Sequence, residues 1–316
     1  MVSSVGSPSK RYLIALVASV IAGVLVAVQS RINGEFGLAL GDGALAALLS
    51  FSTGLLVTTI AVLINPQARR GLGRIREALV AGELPWWGAI GGAGGAFLVL
   101  TQGLSAGVLG VALFTIAVVS GQTLGALVID TRGWVGVPRV PLNRWRVVGA
   151  LLVLAGVVLA LDVRPGDSFE LGALFVLPLV AGAGTGFQQA VNGRVRAVAV
   201  SSISATFLNF AVGTAVLALV FLISVPFTGG PTAFPGTWWL WLGGIVGAFF
   251  IAIQVTTVSI IGVLGLGVSL VTGQLFGSIV LEATMPVATS DLHLATVVGA
   301  LITLAGSAMV TLSRKS

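Results

Sequence analysis

The sequence predicts an all-α polytopic membrane protein, with ten transmembrane helices forming two inverted-topology five-helix repeats. Three observations carry this reading. The 316 residues are 56% hydrophobic and only 8% charged, with a mean hydropathy of +1.09, whereas a soluble domain charges about a quarter of its residues. The apolar residues fall in blocks of about 17–22, and at 1.5 Å per residue such a block crosses a hydrocarbon core of about 30 Å. The second half of the chain also repeats the first.

Taken between polar breaks, the spans lie at 12–30, 44–64, 86–105, 109–129, 145–161, 170–188, 203–224, 238–258, 261–281 and 293–312. The first follows Lys10 and Arg11 and resembles a signal peptide in outline. No small-x-small cleavage site follows it, and the segment has an internal counterpart at 170–187, so it reads as a mature helix after a tail at 1–11. The second span ends before an Arg-rich loop, Arg69 to Arg76. The third opens on Trp86 and Trp87, and the fourth ends at Asp130. The sixth runs into "FQQAVNGRVRA" (187–197), and the seventh precedes a charge-free stretch at 225–237. The eighth opens on Trp238 and Trp239, the ninth ends at Glu282 and the tenth begins at His293. The tryptophans suit the aromatic belt at a membrane interface.

Ten spans place both termini on one side. On that side fall Lys10, Arg11, Arg69, Arg70, Arg74, Arg76, Arg132, Arg139, Arg144, Arg146, Arg194, Arg196, Arg314 and Lys315, against Arg31 and Arg164 on the other. Fourteen against two makes the terminus side cytoplasmic by the positive-inside rule.

The repeat is explicit. Gln29, Asn33 and Gly34 in "AVQSRINGEFG" recur 159 positions later as Gln188, Asn192 and Gly193. "WWGAIGGAGGAF" (86–97) matches "WWLWLGGIVGAF" (238–249), and "GQTLGALVID" (121–130) matches "GQLFGSIVLE" (273–282). "VVGALLVLAG" (147–156) matches "VVGALITLAG" (297–306), so the offset drifts from 159 to 152 to 150. Each unit has five helices, residues 12–162 and 163–316. A second copy of an odd-numbered unit enters the membrane from the opposite face, the arrangement of many secondary transporters. The charges agree: the basic loop after the second span has no counterpart at 225–237.

Candidate solute contacts follow from polarity inside apolar blocks. Gln29 and Asn33 share one helix face, as do Gln188 and Asn192. With Gln102 and Gln254, the topology puts one group of amides at each membrane face, as gates or entrances, or as helix-end and interhelical hydrogen bonds. Gln122 and Gln274 lie deeper, embedded in Gly121/Gly125 and Gly273/Gly277, and are the leading candidates for touching solute. Ser50, Asn209, Thr115, Ser120, Ser269 and Thr272 add candidate contacts. The glycine pairs, including Gly91/Gly95 and Gly243/Gly247, suit close helix packing.

Several classes are excluded. The chain has no Cys and one His, so no metal site, catalytic residue or cofactor is expected, and the protein is not expected to be an enzyme. The net charge of +6 is spread over short loops, so nucleic acid is not an expected partner. No charged residue falls near the middle of a span, which favours a neutral or zwitterionic solute. A secondary transporter is therefore expected, with a passive channel or a non-transporting scaffold as alternatives. The expected partners are the lipid bilayer and a small-molecule solute, and a homodimer is compatible with the sequence.

The motifs carry a resemblance. "QSRINGEFG" (29–37), "LLSFSTG" (48–54), "WWGAIGGAGGAF" and above all "SGQTLGALVIDTRGWVGVPRVPLNRWRVVGALLVLAG" (120–156) resemble the YdcZ-like inner-membrane exporters, a branch of the drug/metabolite transporter superfamily. Members are commonly single five-helix units, and this chain is similar to two such units fused. The resemblance implies a multi-pass inner-membrane exporter without naming a solute. The second unit departs from the pattern: Glu282 replaces Asp130, and the basic loop that follows Asp130 is missing after Glu282.

Overall fold

The computed structural model describes residues 10–133, 139–161, 169–231, 233–285 and 292–313. Most of the N-terminal tail, the expected boundary between halves at 162/163, and Arg164, Arg314 and Lys315 lie outside the described residues. Within them the chain is helical, without strands. In order come α1 (Lys10–Leu40), α2 (Gly43–Ile64), α3 (Pro66–Val80), α4 (Gly91–Thr101), α5 (Gly107–Leu109), α6 (Val111–Arg132), α7 (Arg144–Leu161), α8 (Phe169–Ala199), α9 (Ser202–Thr228), α10 (Gly243–Thr284) and α11 (Leu294–Leu312). A π-helical turn, Gln102–Ala106, joins α4 to α5. Among the described residues nine helical stretches are long and apolar enough to cross a membrane, and Trp238–Gln254 is a shorter apolar helix.

Local chemistry sets the boundaries. Asp42 caps α2 by accepting from the Leu45 N–H at 2.9 Å, and Ser201 caps α9 by accepting from Ser204 N, each satisfying an orphan donor of a first turn. Asn65 ends α2 and caps α3 through the Ala68 N–H, with Pro66 at the first helical position. Gly133 and Gly229 close α6 and α9 in the left-handed conformation.

Two backbone breaks require glycine. Gly110 (φ 80°, ψ 155°) separates α5 from α6, and Gly262 (φ 71°, ψ 171°) interrupts α10. A side chain is strongly disfavoured in this region. The two lie 152 positions apart, the offset of the flanking repeat.

The structure also departs from the spans expected of the sequence. Helices α1 and α8 continue about ten residues past the expected ends at 30 and 188, so Gln29, Asn33, Gln188 and Asn192 sit inside helices and not at their termini. Arg31, expected in a loop, lies within α1 and pairs with Glu35 one turn on. The expected spans at 86 and 238 open in 3₁₀ turns, Trp86–Gly88 and Trp238–Leu242. The basic stretch 66–80, expected as a loop, is the amphipathic helix α3, which buries Ala68, Gly71, Ile75 and Ala78. Its apolar residues recur every three or four positions without forming a block, so block hydropathy cannot detect it.

The helices pack chiefly as α1 on α10, α7 on α11, α6 on α8 and α2 on α9, with α4 against α8 and α9. Small residues allow this, since lipid supplies no hydrophobic drive between helices and close van der Waals contact must hold them. A Cβ added to Gly121 would strike Leu179 O, and one added to Gly273 would strike Val20 O. Gly149 meets Gly306, and Gly156 meets Gly299; Gly54 meets the Phe210 ring, and Gly213 meets the Phe51 ring. Those two rings lie 5.1 Å apart. Each contact thus occurs twice, with the halves of the sequence exchanged.

Candidate functional site

Two groups of amides face the glycines that begin α10 and α4. On α1, Gln29 Nε2 donates to Gly243 O at 3.0 Å, and an added Cβ at Gly247 would meet the same nitrogen. Asn33 Nδ2 donates to Gln102 Oε1 at 2.7 Å, and Gln102 Nε2 donates to Ser30 Oγ at 3.0 Å. Gln102 reaches α1 from the π-helical turn, a departure from α-helix often found at functional sites. Gln29, Ser30, Asn33 and Gln102 are all at most 4% exposed.

This group is incompletely satisfied. Asn33 Oδ1 and Ser50 Oγ are buried without hydrogen-bond partners, and both lie where a Cβ on Gly243 would go. Buried polar atoms without partners are costly in an apolar interior. On the Ser30 and Gln102 side of the group, a void with room for about one water is lined by Ser30, Gln102, Thr115 and Gln274, with Val26, Leu98, Phe114 and Val118 as its apolar wall. Gln274 Oε1 is also buried and unpartnered. Unpartnered polar atoms therefore lie in two neighbouring places, Asn33 Oδ1 and Ser50 Oγ against Gly243 and Gln274 Oε1 on a residue lining the void, and no charged residue lines that void.

The second group is built from the matching residues but is looser. Gln188 Nε2 and Asn192 Nδ2 both donate to Asn209 Oδ1, at 3.2 and 2.9 Å. Asn192 Oδ1 faces Gly91, and Gln188 lies against Gly94 and Gly95. Gln188 and Asn192 are half-buried, and Gln189, the counterpart of Ser30, is exposed. Gln122 and Gln254 are half-buried, and among the described residues neither side chain makes a hydrogen bond. The structure thus joins Gln29, Asn33 and Gln102, sets Gln274 and Ser50 beside them, and joins Gln188, Asn192 and Asn209. It leaves Gln122 and Gln254 apart.

Of the other candidates, Thr115 lines the void, and Ser120 is buried on α6 with its Oγ unpartnered. Ser269 is buried and Thr272 half-buried on α10, where Thr272 Oγ1 donates to Val268 O. Gly121 and Gly125 seat α8, and Gly273 and Gly277 seat α1. Ser30 was not singled out from sequence; its signal was position, three residues before Asn33 and so on the same face.

The ionisable residues stand away from the void. Arg146 is fully buried and donates to Asp130 Oδ2 at 2.7 Å and to Val140 O at 3.1 Å. Glu282 Oε2 accepts from the Val111 N–H at 2.7 Å, at the first residue after Gly110, where a helix start favours negative charge. Sequence placed both acids at helix ends, which holds, but left the burial of Arg146 unseen. Its signal was its place in the motif after Asp130, which the second unit lacks.

Comparisons with known proteins bear on this arrangement. The family described as "Putative inner membrane exporter, YdcZ" matches residues 14–159 and again residues 173–309. No curated protein matches the chain. Among solved structures, one crystal structure aligns with 98% of this chain and 99% of its own at a TM-score of 0.56 and 20% identity, a likeness in fold alone.

Proposed function

We propose a function from one premise: the chain belongs to the YdcZ family of inner-membrane exporters, whose pattern matches it twice. Membership and the apolar helices make it a multi-pass inner-membrane protein. The proposed activity is secondary transport of a small neutral or zwitterionic solute, outward, by alternating access between residues 12–162 and 163–316 as inverted repeats. In this reading the chain crosses the membrane ten times, with Trp238–Gln254 as the eighth crossing and Gly262 as the join to the ninth. Both termini are cytoplasmic.

One observation carries it: the Gln29/Asn33 pair recurs in the second half as Gln188/Asn192, buried in the first half and half-buried in the second. An alternating-access carrier closes one entrance while the other opens. On the proposed topology the buried group of Gln29, Ser30, Asn33 and Gln102 is the outer gate, and half-buried Gln188 and Asn192, bonded to buried Asn209, face the cytoplasm. The void beside the first group is lined by Gln274, whose unpartnered acceptor suits a donor on the solute. A void the size of one water also speaks against a continuously open channel.

Comparing untargeted metabolite profiles tests the proposal. Cells making the wild-type protein should lose at least one small uncharged or zwitterionic metabolite to the medium, and cells making Gln274→Leu at equal membrane level should retain it. Identical profiles would count against export. Flux that saturates and responds to an imposed proton gradient would separate a coupled carrier from a facilitator.

A further inference from the structure

We propose that the cleft between α3 and the α8–α9 turn holds the headgroup of an anionic phospholipid. Helix α3 lies across this turn. Ser204 Oγ donates to Ala68 O at 2.7 Å, Gln67 Nε2 to Val200 O at 3.0 Å and Arg74 Nη1 to Ala199 O at 2.9 Å. Ile75, Ala78, Val195, Ala199 and Ala205 fill the contact below. Beside it opens a cleft of about 520 Å³ lined by Asn65, Gln67, Arg196, Ser201 and Ser202 among others. Arg196 has no carboxylate partner among the described residues, whose ion pairs are Arg31–Glu35 and Arg146–Asp130. A guanidinium flanked by amides and hydroxyls is a donor set for phosphate.

Depth selects a lipid over a soluble anion. Helix α3 starts two residues after α2 ends its apolar run at Ile64, which is 77% exposed. Trp86, shortly after α3, is 73% exposed, and Val200 at the turn is 60% exposed. Apolar side chains turned outward at both ends of a basic amphipathic helix set it at the interface. Arg69, Arg70 and Arg76 are exposed along α3, and Arg194 stands 5.8 Å from the Trp87 ring, so the surface around the cleft is cationic. The matching stretch of the second half, 225–237, has no charge. The site therefore belongs to one face of the membrane and not to the machinery that the halves share. On the proposed topology that face is the cytoplasmic leaflet, where basic segments meet anionic lipid.

Lipid retention tests this. Protein reconstituted in vesicles of equal phosphatidylcholine and phosphatidylglycerol is purified in detergent, and its retained lipid is analysed. The wild type should be enriched in phosphatidylglycerol, and Arg196→Gln should lower that enrichment about fivefold, the worth of one basic residue near an anionic surface. Arg196→Lys should restore most of it. Arg139→Gln, which removes an exposed cation that donates to Thr131 O, should leave it unchanged. Equal retention of both lipids by the wild type would overturn the proposal, as would full enrichment in Arg196→Gln, no rescue by Lys, equal loss in Arg139→Gln, or displacement of the lipid by inorganic phosphate. Only the leaflet rests on the transport reading. Retention does not depend on which side the cleft faces, so either can fail without the other.

Discussion

At the residue scale, the void gives the clearest expectations. Gln274 has an acceptor with no internal partner, so Gln274→Leu should remove a solute contact while sparing the fold. Flux should fall about tenfold, the worth of one neutral hydrogen bond, with unchanged thermal unfolding. Gln122→Leu tests the matching position. If the halves alternate in forming the site, it should lower flux comparably although the Gln122 side chain makes no hydrogen bond among the described residues; unchanged flux would remove it from the pathway. The buried ion pair predicts the reverse pattern. Arg146→Met removes the guanidinium of the buried Arg146–Asp130 pair and should cost about 3–5 kcal/mol of stability, read as a lowered melting temperature, with little effect on flux per folded molecule. A melting temperature equal to the wild type would show the pair to be solvated.

At the element scale, the breaks at Gly110 and Gly262 separate α5 from α6 and divide α10. Gly110→Ala forces a side chain into a region that disfavours it and should cost about 1–3 kcal/mol, measured by thermal unfolding. Gly73→Ala on α3 is the control, since neither steric contact nor positive φ opposes it. The helices were legible in sequence because each apolar block reports its own solvent. Their ends were less so. Residues 31–40 and 189–199 mix polar and apolar side chains, and Asn33 and Asn192 donate to side chains of other helical segments and not to loops. Helix α3 escaped because it buries one face on protein, a period that block hydropathy averages away. The amides of the site were legible as polar intrusions. Their partners were not, because the bond between Asn33 and Gln102 joins residues 69 positions apart through a π-helical turn that no residue type announces.

At the scale of the whole molecule, the repeats were readable as sequence, and the contacts they make were not. The exchange of Gly121–Leu179 for Gly273–Val20 depends on how the halves meet, which a pairwise match within one chain does not contain. The difference in burial between the two amide groups is likewise a property of the packed helices and not of the sequence match. Inverted insertion is the claim on which the proposed cycle rests, and one measurement reaches it directly. Gly41 and Val200 both have positive φ and end α1 and α8 at matching positions, 159 residues apart. The chain has no native cysteine, so Ala39→Cys beside the first turn and Val200→Cys at the second can be labelled singly with a membrane-impermeant thiol reagent. Inverted repeats predict labelling of position 39 in intact cells and of position 200 only after the cytoplasmic face is exposed. Labelling of both from the same side would contradict the account.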